Sequence, residues 1–272
     1  MSDQAPMTSR DSRSLALVGP GRAGLSVATA LRALGWRVRG VAGRDPRAPS
    51  VRAAASQFGA LAGSAGDVVG GVELVIVGCP DAAIGTVAAE IAPVVDAGTL
   101  VIHLAGSVGV GALSELSCRT GALHPLQTMP TAELGAARLA GSWCAIAGDP
   151  EVAAIARALG MHPFSIVDAD RGAYHAAACI ASNHLVALMA QVEACTTVPV
   201  DAFLPLVRST VDNVGDLGAA AALTGPVARG DVETVRRHLD GIPAEERDAY
   251  RALARRAAVL AGRDPDLGGI LA

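Results

Sequence analysis

The sequence predicts an α/β protein, with a mainly parallel sheet covered on both faces over residues 14–169 and an all-helical half over 170–272. Two observations carry this. From Ser14 to Val167, short β-rich runs alternate with Ala-rich helical stretches, as expected of buried parallel strands joined by crossover helices. After Asp170 no further strand pattern occurs, and helical stretches continue to Ala272, punctuated by Pro199, Gly218, Gly225–Pro226, Gly230 and Pro243.

The elements follow in order. Residues 1–13 are polar and lack the apolar run of a secretory signal, so a disordered tail is expected there. The first strand, Leu15–Val18, breaks into a glycine loop that opens a helix over Gly21–Leu34. Further strands are predicted at Arg37–Ala42, Leu74–Val77, Leu100–Leu104, Trp143–Ala147 and Phe164–Val167. Helices are predicted at Pro49–Phe58, Ala82–Ile91 and Pro150–Leu159. Beyond Asp170, RGAYHAAACIASNHLVALMAQVEACTT reads as one long helix.

Composition narrows the function classes. At 51% hydrophobic and 18% charged the chain is globular. A net charge of −4, few Lys/Arg clusters and 3% aromatic residues argue against a nucleic-acid surface. Five scattered cysteines (Cys79, Cys118, Cys144, Cys179, Cys195) without a C-x-x-C suit a reducing cytosol better than a disulfide framework or a zinc site. No metal site is expected, since no His/carboxylate cluster has ligand spacing. No window approaches about 20 uninterrupted apolar residues, the length of a membrane span. A cytoplasmic protein without membrane or nucleic-acid partners is therefore expected.

The glycine loop, Gly19-Pro20-Gly21-Arg22-Ala23-Gly24, has the spacing G-x-G-x-x-G between an apolar strand and a helix. In that setting it is a dinucleotide fingerprint. Gly19 permits the sharp turn, Gly21 the approach of backbone to phosphate, and Gly24 close packing of helix on strand. The helix N-terminus then offers free N–H groups and partial positive charge to a pyrophosphate. After the second strand an NAD binder places an acid that hydrogen-bonds the ribose 2′-hydroxyl. Here Gly43 and Arg44 occupy that place, and a guanidinium suits a 2′-phosphate. NADP(H) is predicted over NAD(H), with Arg22 as a second phosphate partner, although Asp45 beside Arg44 weakens the reading. Cys79, Pro80 and Asp81 lie past the end of a buried strand, where parallel sheets bind ligands, as do Ala105 and Gly106 after Leu104. Cys79 itself reads as a small buried thiol.

These features together resemble the β-hydroxyacid dehydrogenase-like superfamily of Rossmann-type oxidoreductases. That group includes ketopantoate reductases, pyrroline-5-carboxylate reductases, prephenate dehydrogenases and 6-phosphogluconate dehydrogenases. The strings VIHLAGS, GALHPLQTM, AAACIASNHLVAL and ALTGPVARGDVETVRRHL resemble one bacterial branch, Rossmann-like proteins carrying a C-terminal domain of unknown function. The resemblance spans about residues 14–262 and implies an NADP-dependent reductase whose helical half forms a homodimer.

A carbonyl or imine reductase needs a group that protonates or polarises the substrate heteroatom. His124, in GALHPLQT, is the first candidate, because histidine titrates near neutral pH. The resemblance supports it, since prephenate dehydrogenases carry a His–Pro pair in the matching region. A hydrogen-bonded core histidine is the competing reading. Ser107, beyond a strand end, is placed to hydrogen-bond nicotinamide or substrate, whereas His103 reads as sheet packing. His175, Cys179 and Asn183 share one face of a regular helix at i, i+4, i+8. In the superfamily a catalytic Lys stands four residues before an Asn; Asn183 matches the Asn, but Cys179 replaces the Lys. A stripe facing a partner subunit explains the same spacing. Most of TGPVARGDVETV is turn chemistry, leaving Arg229 as a surface residue or a grip on an anionic substrate. The combined expectation is an NADPH-dependent reductase of a small anionic carbonyl or imine, ketopantoate above all. Prephenate-like or pyrroline-5-carboxylate-like chemistry and a non-catalytic NADP sensor are the alternatives.

Overall fold

A computed structural model describes residues 13–272; the tail expected over 1–13 lies, apart from Arg13, outside the described residues. By packing the chain divides into two compact units, one ending at Cys179 and one running from Ile180 to Ala272.

The first unit begins with β1 (Ser14–Val18), α1 (Arg22–Ala33), β2 (Arg37–Ala42), α2 (Pro49–Phe58), β3 (Leu61–Gly63) and α3 (Ala65–Val68). It continues through β4 (Leu74–Val77), α4 (Ile84–Ile91), β5 (Leu100–His103), β6 (Arg119–Pro125) and α5 (Ala132–Ala137). β7 (Trp143–Gly148), α6 (Glu151–Ala158), β8 (His162–Ser165) and α7 (Arg171–Cys179) complete it. The eight strands form one sheet in the order β3-β2-β1-β4-β5-β6-β7-β8, parallel throughout except where β6 meets β7.

Alternation along the central strands builds a core on each face, because successive strand side chains point to opposite sides. Leu15, Leu17, Ile76 and Ile102 pack with Val27 and Leu31 of α1. Ala16, Val18, Val75, Val77 and Val101 pack on the other side with Ile84, Ala88 and Ile91 of α4. Burial on both faces explains why these strands read as continuous apolar runs.

Two strands and two short helices escaped the sequence reading. β3 has three residues, and β6 (RTGALHP) contains Gly121 and Pro125, so neither carries a β-rich signal. Pairing supplies what propensity lacks, since β6 bonds to β5 on one side and β7 on the other. The last strand lies two residues earlier than predicted and includes Pro163; as an edge strand paired only to β7, it tolerates the missing N–H.

The second unit is helical. It opens with a π-helical turn, Ile180–His184, then α8 (Leu185–Cys195), α9 (Leu204–Leu217), α10 (Ala219–Ala222), α11 (Pro226–Arg229), α12 (Val232–Gly241), α13 (Arg247–Ala261) and α14 (Asp264–Leu271). Val235 and Leu239 of α12, Ala254 and Ala258 of α13, and Leu267 and Leu271 of α14 form its core. The expected single long helix thus contains a π turn. A π turn carries an extra residue relative to the α-helix, so the 3.6-residue period behind the His175–Cys179–Asn183 spacing does not hold through it. By length and composition the helical run Asp168–Cys195 is apolar enough to cross a membrane, although no stretch of about 20 residues in it is uninterruptedly apolar. Its Ala, Leu and Val content outweighs the interrupting His175, Ser182, Asn183 and His184 on a window average.

Candidate functional site

The strand order turns between β1 and β4, whose following chains leave in opposite directions, β1's toward β2 and β4's toward β5. Such a switch point opens a crevice at the carboxyl ends of the strands. Gly19 stands in it with φ +91°, a conformation that L side chains rarely adopt, and its N–H donates to the Ala42 carbonyl at 2.8 Å. A side chain there would also strike the backbone of Gly78 and Cys79, 2.5–2.8 Å from a notional Cβ. A notional Cβ on Gly24 would lie 2.9 Å from both the Gly19 carbonyl oxygen and the Leu17 side chain. The glycines therefore let the loop after β1 lie directly on the loop after β4.

Helix α1 starts at Arg22 with Gly21 as its N-cap; no side chain caps it and no acidic residue lies in its first turn. Its unpaired N–H groups and positive dipole end suit a pyrophosphate, so the cradle fits a dinucleotide. At the end of β2, Arg44 is exposed and joins no ion pair among the described residues. Asp45 does not claim it, because the Asp45 carboxylate turns back to accept the Arg47 N–H at 2.9 Å. Arg22 is likewise exposed.

After β4, Pro80 and Asp81 are exposed while Cys79 is half-buried, and burial pushes the Cys79 thiol up, as for an unreactive cysteine. The Ser107 hydroxyl donates to Asp81 Oδ2 at 2.5 Å, tying the loop after β5 to the loop after β4. His103 shapes the same loop from below. It is fully buried, its Nδ1 accepts the Ala105 N–H (3.3 Å), and its Nε2–H therefore donates to the Gly109 carbonyl (3.2 Å). Burial, with the Arg171 charge second, holds His103 down to about 4, so it is a neutral loop pin.

At the mouth of that loop the structure brings together His124 of β6, Tyr174 and His175 of α7, and buried Gly106. His124 Nδ1 and the Tyr174 hydroxyl share a 2.7 Å hydrogen bond, with the rings edge to face. Gly106 is required by close approach: a Cβ there would lie 2.5 Å from His175 Nδ1 and 2.9 Å from His124 Nε2. The Phe164 ring packs edge to face against Tyr174. Burial, then repulsion from His175 and from Arg171, brings His124 down to about 4. The neutral-pH titration that recommends His124 from sequence is thereby removed; at pH 7 it is a neutral imidazole. Burial pushes Tyr174 up to about 12, keeping its phenol protonated.

Tyr174 and Arg171 carry no mark in the sequence reading. The signal available was positional, since Arg171, Tyr174 and His175 fall at i, i+3, i+4 of one helix. His175 Nε2 lies 3.9 Å from Cys179 Sγ, as their spacing implies, and His175 Nδ1 is buried without a partner. Asn183 is exposed in the π-helical turn of the second unit, and Arg229 is exposed at the end of α11. Among the described residues no group of His, Cys, Asp and Glu is arranged to hold a metal.

Comparison with known proteins agrees with this architecture. Residues 3–130 match the Rossmann-like domain, and residues 142–257 match a domain of unknown function, DUF2520. The chain thus joins a Rossmann-like domain to a DUF2520 domain. Among curated proteins none matches the sequence. Its fold is similar to that of a Bacteroides fragilis protein assigned as an NADP oxidoreductase (24% identity, TM-score 0.75, covering 92% of this chain and 96% of that one). A Thermotoga maritima protein whose name states no activity is also similar (24%, TM-score 0.67, 92% and 99%). So is a Plasmodium falciparum pyrroline carboxylate reductase solved with NADP bound (13%, TM-score 0.60, 92% and 96%). At these identities the likeness is one of fold.

Proposed function

We propose that the protein is an NADPH-dependent reductase of a small carbonyl or imine compound that carries a carboxylate. The observation that carries the reading is the His124–Tyr174 pair on Gly106, at the carboxyl end of the sheet that also presents the glycine cradle. The NADP-bound and NADP-assigned proteins of the same fold support the choice of cofactor, as does the unpaired Arg44. Gly19, Gly21 and the first turn of α1 would hold the pyrophosphate, Arg44 and Arg22 the 2′-phosphate, and Pro80, Ala105 and Ser107 would line the crevice.

NADPH supplies a hydride when bound. The chain's own part is to handle the proton. With Tyr174 donating to Nδ1, the neutral imidazole of His124 carries its proton on Nε2, which faces Gly106. That N–H polarises the substrate heteroatom, as neutral imidazoles do elsewhere. As the heteroatom takes the Nε2 proton, Nδ1 takes the Tyr174 proton, and the phenolate is reprotonated by water. The imidazole remains neutral throughout, which its buried position favours.

The test is NADPH oxidation against a panel of 2-oxo acids and cyclic imino acids that includes ketopantoate and pyrroline-5-carboxylate, with NADP+ reduction by prephenate-type substrates measured beside it. Turnover with one member is expected. NADPH binding without turnover on any member would favour a second reading, a nucleotide-binding sensor, which the cysteine at the superfamily's lysine position supports. The exposed apolar face of α9, with Leu206 65% and Leu217 60% exposed, supports a homodimer through the helical half. A cytosolic location accords with the five free cysteines.

A further inference from the structure

His124 and Tyr174 leave their neighbour Arg171 without a role. Its side chain, in the first turn of α7, is 0% exposed. The Nε–H donates to Asp168 Oδ1 at 3.1 Å, while Nη1 and Nη2 are buried with no hydrogen-bond partner among the described residues. A guanidinium keeps its charge at physiological pH, so it cannot escape burial by losing a proton. A buried ion that is only half paired is among the costliest features a fold retains. Asp168 compensates poorly, since its side chain is 56% exposed and only one of its oxygens meets the guanidinium, through Nε.

Arg171 also lies one helical turn before Tyr174 and His175 on the same helix, at i, i+3 and i+4. The Arg171 charge acts on His103, His124 and Tyr174, pressing both imidazoles toward neutrality and opposing the rise of the phenol. Asp168 itself abuts Gly109, whose carbonyl takes the His103 bond. Two parallel N–H donors in one plane match the two oxygens of a carboxylate.

We infer that the Nη1–Nη2 edge of Arg171 anchors the substrate carboxylate, with His124 polarising the neighbouring carbonyl or imine of the same molecule. The inference rests on the reductase reading and narrows its substrate class to 2-oxo or 2-imino acids. Because the fork is covered, the side chains over it must shift as the acid enters, and association is slower than diffusional encounter.

The experiment titrates oxamate, a small carboxylate, and oxamide, its neutral counterpart, into the full-length protein by calorimetry, with and without NADPH. Oxamate is expected to bind the parent and to lose about 10- to 150-fold in affinity in Arg171→Met, with a loss also in Arg171→Lys, which keeps the charge but not the fork. Oxamide should be indifferent to both variants. Methylguanidinium should restore part of the oxamate affinity to Arg171→Ala, a rescue that a purely structural arginine would not show. Circular dichroism reports folding; if Arg171→Met unfolds, Arg171→Lys and the KM for a turned-over 2-oxo acid decide. Equal oxamate affinity in the parent and a folded variant overturns the inference. So does inorganic phosphate binding as tightly as oxamate in an Arg171-dependent way, which marks a general anion site. NADPH turnover with an unchanged KM in Arg171→Lys rejects the anchor and spares the reductase. Arg171-dependent oxamate binding in a protein that does not bind NADPH does the reverse.

Discussion

Tyr174 of α7 and His124 of β6, fifty residues apart in sequence, meet at 2.7 Å between hydroxyl and Nδ1. In the proposed mechanism the bond leaves the Nε2 proton facing Gly106 and gives the imidazole a proton source. Tyr174→Phe and His124→Asn are each expected to slow turnover by about 10²–10⁴-fold, the worth of a positioned acid. NADPH affinity should stay unchanged in both, measured by fluorescence titration. Parental rates in both variants would place the proton donor elsewhere.

The cradle is tested at Gly21. Its notional Cβ lies 3.2 Å from the Gly78 carbonyl, so a branched side chain fills the space between the two loops. Gly21→Val is expected to abolish NADPH binding while the protein still melts cooperatively. Undiminished NADPH affinity in that variant would sink the assignment.

Arg44 is the proposed determinant of cofactor choice. Removing a charge-assisted contact to the 2′-phosphate costs about 1.5–3 kcal/mol, roughly 10- to 150-fold. Arg44→Ala should therefore weaken NADPH by that factor and leave NADH almost unaffected. Equal losses for both cofactors would mean that the guanidinium serves some other contact.

Acid should destabilise the first unit through its two buried imidazoles. His103 and His124 stand at about 4 in the folded chain against an ordinary 6.5. Above pH 6.5 both are neutral folded or unfolded, and stability is complete. As pH falls from 6.5 toward 4 the unfolded chain takes up protons first, so stability declines. The loss reaches at most about 3 kcal/mol per imidazole. Urea unfolding at pH 7 and pH 4.5 measures it, and His124→Asn should remove about half of the pH dependence. A flat profile between those values would contradict the buried neutral state.

The helical half should self-associate. Along α9 the apolar Leu206, Val211, Val214 and Leu217 are all exposed, as is Val186 of α8 at 70%. A second copy of this chain is the expected cover. Sedimentation at micromolar concentration should give twice the 27.2 kDa chain mass, and Leu206→Glu combined with Leu217→Glu should return the monomer. A parent that sediments as a monomer rejects the homodimer.

The central strands, their covering helices and the glycine loop were legible in the sequence because each is written locally. An apolar run buried on both faces, a helical repeat and a glycine at φ +91° are properties of neighbouring residues. β6 was not legible, because its Gly and Pro hide a strand that only pairing on both sides sustains. The long helix is present as expected, but its uniform Ala and Leu content gives no sign of the π turn at Ile180–His184.

The site divides in the same way. His124 was visible as a histidine beside a proline, but its state was not. The sequence by itself determined a nucleotide cradle on a parallel sheet, an arginine where an acid would favour NAD, and a histidine near a strand end. Only the tertiary structure decided that Tyr174 completes His124, that burial holds the imidazole near 4, and that Arg171 is sealed beside them with its fork unpaired. The physical reason is that a motif records which groups are adjacent along the chain. Burial, proton affinity and hydrogen-bond partnership depend on which groups are adjacent in space.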